Sequence, residues 1–170
     1  LEDLCILLVE GGPRILPGFS ADLSAKAEAA LSRMGVTIRL NSLVSGVQKD
    51  GVMIDQEFVP SAGIIWAAGN KASPLLETLG TAQDGAGRVK VGPDLTIPGE
   101  PWVFVLGDAA NCTGEDGKPL PGLAPVAIQQ GRYVADVIQH DTPPGERRAF
   151  VYVDRGMLAT IGRAKAVAQI

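Results

Sequence analysis

Several short constellations in this chain combine residue types that can do chemistry. The first centres on Glu10, which closes the apolar run Cys5-Ile-Leu-Leu-Val9 and opens the turn Glu10-Gly11-Gly12-Pro13. A strand ending in an acid and a glycine turn is the form taken by the second strand of a dinucleotide-binding unit. There the carboxylate accepts hydrogen bonds from ribose hydroxyls and repels an added 2′-phosphate. The glycine fingerprint of such a unit stands about 20 residues upstream of its acid. Only nine residues precede Glu10, and no GxGxxG occurs in the chain. An ordinary strand-end acid is therefore the competing reading. The second constellation is Trp66-Ala67-Ala68-Gly69. Small residues after a strand let a flat ring or a phosphate approach the backbone, and a tightly packed turn would use the same residues.

The third is Val103-Phe-Val-Leu-Gly107-Asp108-Ala-Ala110. A buried-type strand delivers a glycine, then a carboxylate, then small residues. In a flavin protein such an aspartate accepts a hydrogen bond from a ribityl hydroxyl, while N–H groups at a helix start face the pyrophosphate. The alternative is an aspartate that only caps a helix. The fourth is the helix expected from Ala124, whose amino end carries partial positive charge. Aimed at a flavin pyrimidine ring, that end would stabilise a reduced, anionic flavin. Gln129, one turn in, has the donor and acceptor to bind a quinone carbonyl. The competing reading is a surface glutamine on an amphipathic helix, and this is the reading taken for Gln130. Cys5 and Cys112 stand far apart without a CxxC, which argues against a metal knuckle or a redox dithiol. Cys5 is expected to be a small hydrophobe in a buried strand. His140, the single histidine, is expected to be solvated at a helix end.

The elements that must position these residues follow from pattern. Cys5–Val9 reads as a strand buried on both faces of a parallel sheet. Ser20 or Asp22 caps a helix through about Met34, with Leu23, Ala27, Ala30, Leu31 and Met34 on one face and Gly35 at its end. Val36–Leu40 alternates like a strand. Val44–Val47 and Val52–Ile54 flank Lys49-Asp50-Gly51, a hairpin signal. Gly63–Ala67 and Trp102–Leu106 read as further strands, separated by a loop-rich stretch from Asn70 to Pro101. A helix is expected from Ala124 to about His140, a polar linker over Asp141–Arg148, and a hairpin about Asp154-Arg155-Gly156.

The chain has 170 residues, enough for one ordinary domain or two pieces of larger ones. Its 21 Gly and 12 Pro imply many turns but have no period, which argues against a collagen-like or low-complexity chain. The net charge of −4 and the absence of a basic run argue against nucleic acid as a partner. No apolar stretch approaches the roughly 18–20 residues of a membrane span, and no signal peptide is read at Leu4–Val9. Leu1 in place of Met hints at a cut piece.

Taken in order, VEGGPRILP, GVTI, IIWAAG, GRVKV, VFVLGDAA, PGLAPVAIQQGRYVA and FVYVDRGMLATIGRAKAVA resemble the type II NADH:quinone oxidoreductases, a branch of the two-dinucleotide-binding flavoproteins. The likeness runs over essentially the whole chain, and the stretch from Phe150 resembles the start of that branch's C-terminal region. It implies an α/β fold, part of a Rossmann-like flavoprotein with two dinucleotide-binding domains, with a parallel sheet, helices and a β-hairpin or meander. Residues 1–80 would be the second half of the NADH domain, 81–148 the C-terminal FAD segment, and 149–170 the start of a membrane-facing region. The resemblance implies FAD and NADH as cofactors. It places Glu10 on the NADH ribose, Ala67, Ala68 and Gly69 beside the nicotinamide, and Asp108 with Gly107 on FAD. A family motif AQxAxQ that touches the quinone stands here as Ala124-Pro125-Val126-Ala127-Ile128-Gln129. Ala127 thus falls beside the flavin and Gln129 on the quinone, while Pro125 replaces the first glutamine. The partners implied are NADH, a quinone and, through segments outside this chain, the cytoplasmic face of the membrane.

On that reading both glycine-rich phosphate loops and the docking helices lie outside the chain. The isolated piece is expected to self-associate through open strand edges, to lack flavin and to be inactive. Two competing readings are kept. One is another flavoprotein of the superfamily, a ferredoxin or rubredoxin reductase or a sulfide:quinone oxidoreductase; the last needs paired reactive cysteines, for which Cys5 and Cys112 are unsuited. The other is a non-catalytic binding module on the same scaffold.

Overall fold

The computed structural model describes residues 4–69 and 71–170. In chain order the first elements are β1 (Ile6–Val9), α1 (Ala21–Arg33), β2 (Val36–Arg39), β3 (Val44–Gln48), β4 (Gly51–Ile54) and β5 (Glu57–Pro60). A 3-10 turn (Pro74–Leu79) leads to β6 (Val89–Lys90), β7 (Thr96–Ile97), β8 (Glu100–Phe104), the short 3-10 helix Gly107–Ala109 and β9 (Ala110–Asn111). Then come α2 (Ala124–Gln139), a 3-10 turn (Pro144–Glu146), β10 (Met157–Ile161) and β11 (Lys165–Gln169). The chain forms two compact units. One takes the chain as far as Trp66 and resumes over Asp154–Ile170; the other is Ala67–Val153.

In the first unit β1 and β2 pair in parallel, Ile6 beside Val36 and Val9 beside Arg39, joined through α1. Ser20 caps α1, its hydroxyl accepting the Leu23 N–H at 3.4 Å. Asp22 in the first turn and Arg33 in the last both suit the helix dipole. Gly35 leaves the helix at φ 85°, a conformation that costs glycine little. The buried face of α1 presents Ser24, Ala27 and Ala30; the two alanines pack with Ile15, Phe19, Ile161 and Val167. Alanines allow close approach of the closing hairpin. Met34, expected on that face, is exposed because it is the C-cap residue, beyond the last regular turn. The expected burial of β1 on both faces is not seen: Ile6 and Leu8 are exposed, and Cys5 is exposed rather than sealed in the strand.

The hairpin β3-β4 turns at Lys49-Asp50, as the sequence indicates, and continues into β5. Gly51 is required there, since a Cβ would lie 2.4 Å from the Val59 carbonyl oxygen. The second turn, missed in the sequence, uses Asp55 at φ 55°, a conformation Asp tolerates better than most residues. The closing hairpin also differs from expectation. Its strands are β10 and β11, Met157 opposite Gln169 and Ile161 opposite Lys165, so the turn falls at 162–164. Gly162 takes φ 63° there. Asp154-Arg155-Gly156 instead forms an Asx turn, the Gly156 N–H donating to Asp154 Oδ1 at 2.9 Å, at the entrance to β10.

In the second unit β6 pairs in parallel with β9, and β7 antiparallel with β8. Val89, Ile97, Val105 and Ala110 form one core cluster, and Leu95, Cys112 and Val134 of α2 another. The strand expected over Gly63–Ala67 does not form, and Ile65 and Trp66 are exposed. It has no ladder to another described strand, and an apolar run alone does not supply pairing partners. Trp102–Leu106 is likewise not a strand buried throughout: it contributes to β8, with Trp102 exposed and Val105 buried beyond the strand's end. The architecture is mixed α/β with parallel and antiparallel pairs, the class expected from the sequence.

Candidate functional site

The site in the second unit grows from the short Gly107–Ala109 helix. Leu106 arrives extended and Gly107 takes φ 64°. A Cβ at Gly107 would meet the Ala127 Cβ at 3.4 Å, so glycine is selected both by conformation and by the closeness of α2. One turn further along α2, the Gln130 side chain is 1% exposed. Its Oε1 accepts the Gly107 N–H at 2.7 Å. Gln130 is therefore not the surface glutamine expected from the sequence. A buried amide whose carbonyl meets a backbone donor is worth keeping inside. The same side chain reaches Cys112; burial pushes that thiol's pKa up, against a smaller lowering by the Gln130 amide. Asp108 follows Gly107 at the surface, and its carboxylate points toward Gly122, where a Cβ would lie 3.5 Å from Oδ1. No hydrogen bond or ion pair from a described residue engages it. Asp108 is not a helix cap for α2, whose N-cap is Leu123 without a side-chain cap bond.

Asp108 lines a groove of about 690 Å³ with Gly69, Lys71, Ala72, Ala86, Arg88 and Gly122. Four glycines or alanines on its walls, Gly69, Ala72, Ala86 and Gly122, leave backbone accessible. The wall at Ala86–Arg88 is built by Asp84. Its Oδ1 accepts the N–H groups of Ala86 and Arg88 at 2.9 and 3.0 Å. Its Oδ2 accepts from Arg88 Nε at 2.7 Å and from Asn111 Nδ2 at 3.0 Å. Burial pushes the Asp84 carboxyl up, but hydrogen bonds from Arg88 and Ala86 outweigh it and hold the pKa below its ordinary value. Arg88 is thereby neutralised locally, and Lys71 is the other cation on the groove. The Ala72 N–H donates to the Ala86 carbonyl at 3.0 Å and ties the Gly69–Ala72 stretch to this wall. Asp84 and Arg88 escaped the sequence reading; the only signal was an acid four residues before an arginine around two glycines.

The other expected residues fall as follows. Gly69 and Asp108 share the groove, while Gly107 and Ala127 face one another beside it, outside its lining. Ala67 and Ala68 lie beside it in the chain, exposed. Glu10 belongs to the first unit, at the end of β1, where its Oε1 accepts the Gly12 N–H at 2.7 Å. A Cβ on Gly12 would come within 3.2 Å of that oxygen. Gln129 is half-buried and both ends of its amide are engaged by Val153, through Nε2 to the carbonyl at 2.9 Å and Oε1 from the N–H at 3.0 Å. His140 is the C-cap residue of α2, exposed and beside Asp136, as expected. Arg14 donates to the Pro17 carbonyl. No cluster of metal-ligating side chains occurs among the described residues, and no described helix is long and apolar enough to cross a membrane.

The mixed α/β frame around this glycine-aspartate turn is the fold class of the nucleotide-dependent oxidoreductases. The chain belongs to the pyridine nucleotide-disulphide oxidoreductase family, whose model matches residues 3–131. Within it, the resemblance read from the motifs is borne out by type II NADH:quinone oxidoreductases. One from Mycobacterium tuberculosis is 39% identical over 97% of this chain and 37% of its own length. One from Staphylococcus haemolyticus is 35% identical over 92% of this chain and 40% of its own. The chain thus spans well under half the length of these relatives. Among solved structures, NDH2 from Plasmodium falciparum in complex with NADH superposes with a TM-score of 0.84, at 17% identity, over 97% of this chain and 50% of that one. Reduced CoADR-RHD from Bacillus anthracis gives 0.77 at 20% identity, over 95% of this chain and 29% of that one. These two likenesses concern the fold.

Proposed function

We propose that this chain is part of an FAD-dependent NADH:quinone oxidoreductase, in which hydride passes from NADH to flavin and electrons go on to a quinone. The observation that carries it is the Asp108 carboxylate, without a hydrogen-bond or ion-pair partner among the described residues, on a groove it shares with Gly69, together with the type II relatives, one of them 39% identical. The residues present fit a flavin nucleotide. A free carboxylate accepts hydroxyl hydrogen bonds, Gly69 and Gly122 leave backbone open, and Lys71 offers a cation. Asp108 and Gly107 would hold the FAD ribityl end, with Ala127 beside the flavin, and Ala67, Ala68 and Gly69 would stand near the nicotinamide. Glu10 would take the NADH ribose, since only one of its carboxylate oxygens is used by Gly12. Gln129 would meet the quinone after exchanging its Val153 hydrogen bonds for it. Bound flavin supplies the hydride and electron chemistry; the protein binds, orients and excludes water. Residues 1–80 fall to the NADH domain, 81–148 to the FAD segment and 149–170 to the membrane-facing region, and the whole protein would sit peripherally on the membrane's cytoplasmic face. The test is to purify the full-length protein, record its visible spectrum and follow NADH oxidation with a soluble quinone. A colourless protein that ignores NADH would sink the reading.

A further inference from the structure

Gln130 is the most enclosed polar side chain beside the site, and neither the sequence reading nor the proposed chemistry uses it. It sits three residues after Ala127, on the same face of α2. Both residues face Gly107: a side chain at 107 would meet the Ala127 Cβ at 3.4 Å, and Gln130 accepts the Gly107 N–H at 2.7 Å. Gly107 is in the left-handed region, and its backbone direction sets where Asp108 begins. Gln130 itself is fixed, since it is 1% exposed and its amide also faces Cys112, which is 3% exposed. No second donor among the described residues shares Oε1. Among the described residues, one buried hydrogen bond, from the Gly107 N–H to Gln130, ties the turn to α2.

We propose that Gln130 is a positioning residue. By accepting the Gly107 N–H it fixes the Gly107–Ala109 turn against α2 and so aims the Asp108 carboxylate into the groove. The inference rests on the flavin reading of that groove. It differs from a general packing role because it assigns the effect to one acceptor atom. Gln130→Met keeps length and apolar bulk but removes the acceptor, leaving the Gly107 donor buried and unmet. Gln130→Glu keeps an oxygen in the same place.

The experiment uses full-length, flavin-loaded protein. Four forms are compared: wild type, Gln130→Met, Gln130→Glu, and Val134→Ala, a core truncation on the same helix that matches the loss of thermal stability. The readout is the rate of flavin release, followed by the rise in free-flavin fluorescence after dilution, together with the visible spectrum of the bound flavin. Gln130→Met is expected to release flavin about tenfold faster than Val134→Ala, the scale of one unmet buried donor. A shifted visible spectrum is expected with it, and Gln130→Glu should recover most of the difference. Equal release from Gln130→Met and Val134→Ala, or no recovery by Gln130→Glu, overturns the inference while leaving the flavin reading intact. A wild-type protein that never holds flavin overturns both.

Discussion

Gln129 and Val153 form a closed pair: the glutamine amide donates to the Val153 carbonyl at 2.9 Å and its oxygen accepts the Val153 N–H at 3.0 Å. A side chain thus mimics a strand neighbour and pins the segment after Phe150 to α2. This has a consequence for a quinone-facing role. The amide would have to trade two hydrogen bonds for a new one, so Gln129 couples acceptor binding to the position of residue 153. Gln129→Ala in the full-length protein is expected to raise KM for quinone several-fold, while NADH oxidation by a small artificial oxidant stays near wild type. Equal loss with both acceptors would show that the residue only holds the fold.

Glu10 is expected to set nucleotide choice. Its free oxygen is available to ribose hydroxyls, and its charge opposes a 2′-phosphate. Glu10→Gln in the full-length enzyme should lower kcat/KM for NADH by about tenfold, the scale of a charged hydrogen bond of roughly 1.5–3 kcal/mol. The value for NADPH should hold or rise. An unchanged NADH to NADPH ratio would return Glu10 to a strand-end acid that only closes the Gly12 turn.

Asp108→Ala should purify with less flavin than wild type at equal folded yield. The residue has no hydrogen-bond or ion-pair partner among the described residues, so the fold should be nearly indifferent; the loss is a charge-assisted hydrogen bond to the ligand. Circular dichroism and the ratio of flavin to protein absorbance read the two effects separately. Full flavin occupancy would make Asp108 a surface acid.

How much of this was legible in the sequence depends on whether the signal is local. The Ser20 cap, the glycine at 35 and the extent of α2 were readable because propensity and capping act within one turn. The turn at Gly107 and Asp108 was readable because a strand ending in Gly-Asp leaves little freedom, while the flavin role given to the two residues is a proposal. Gln130 was not, since its meaning lies in an N–H 23 residues away and its type usually signals solvent. Asp84 and Arg88 were missed for a similar reason: an (i, i+4) acid–base pair is usual on helices, whereas here it braces a loop. The closing hairpin was misplaced because Asp-Arg-Gly and Gly-Arg-Ala are both turn material, and only the inward alternation of Met157, Ala159 and Ile161 decides between them.

The two cysteines should separate cleanly by access. Cys5 is exposed and Cys112 is buried with its pKa raised by desolvation. The thiolate is the reactive form, so a thiol reagent should modify Cys5 in native protein and Cys112 only after unfolding, provided no further segment covers Cys5. Changing both to Ser should leave turnover per folded molecule intact. A loss of turnover with flavin still bound would point to thiol chemistry.

Arg147 makes the last prediction. Its side chain is 1% exposed and bonds Asp94 Oδ2 at 3.3 Å, the Thr142 carbonyl at 3.1 Å and the Pro101 carbonyl at 2.5 Å. The guanidinium also lies 5.2 Å from the Trp102 ring centre and 4.9 Å from that of Phe104. It fastens the linker after α2 to β8. Arg147→Met would leave the Asp94 charge and two carbonyls short of partners, at a cost of about 3 kcal/mol. The acid side carries a further sign. Burial pushes the Asp94 carboxyl up, but hydrogen bonds from Thr96 and Arg147 outweigh it, and its pKa lies below the ordinary 3.8. A carboxyl depressed in the folded state contributes stability above its unfolded pKa and loses it as pH falls through the folded one. Denaturant titrations of wild type should therefore show stability falling with acid below about pH 4. Asp94→Asn should flatten that limb and lower the neutral plateau. An acid limb that is the same in Asp94→Asn as in wild type would assign the acid sensitivity to other carboxylates.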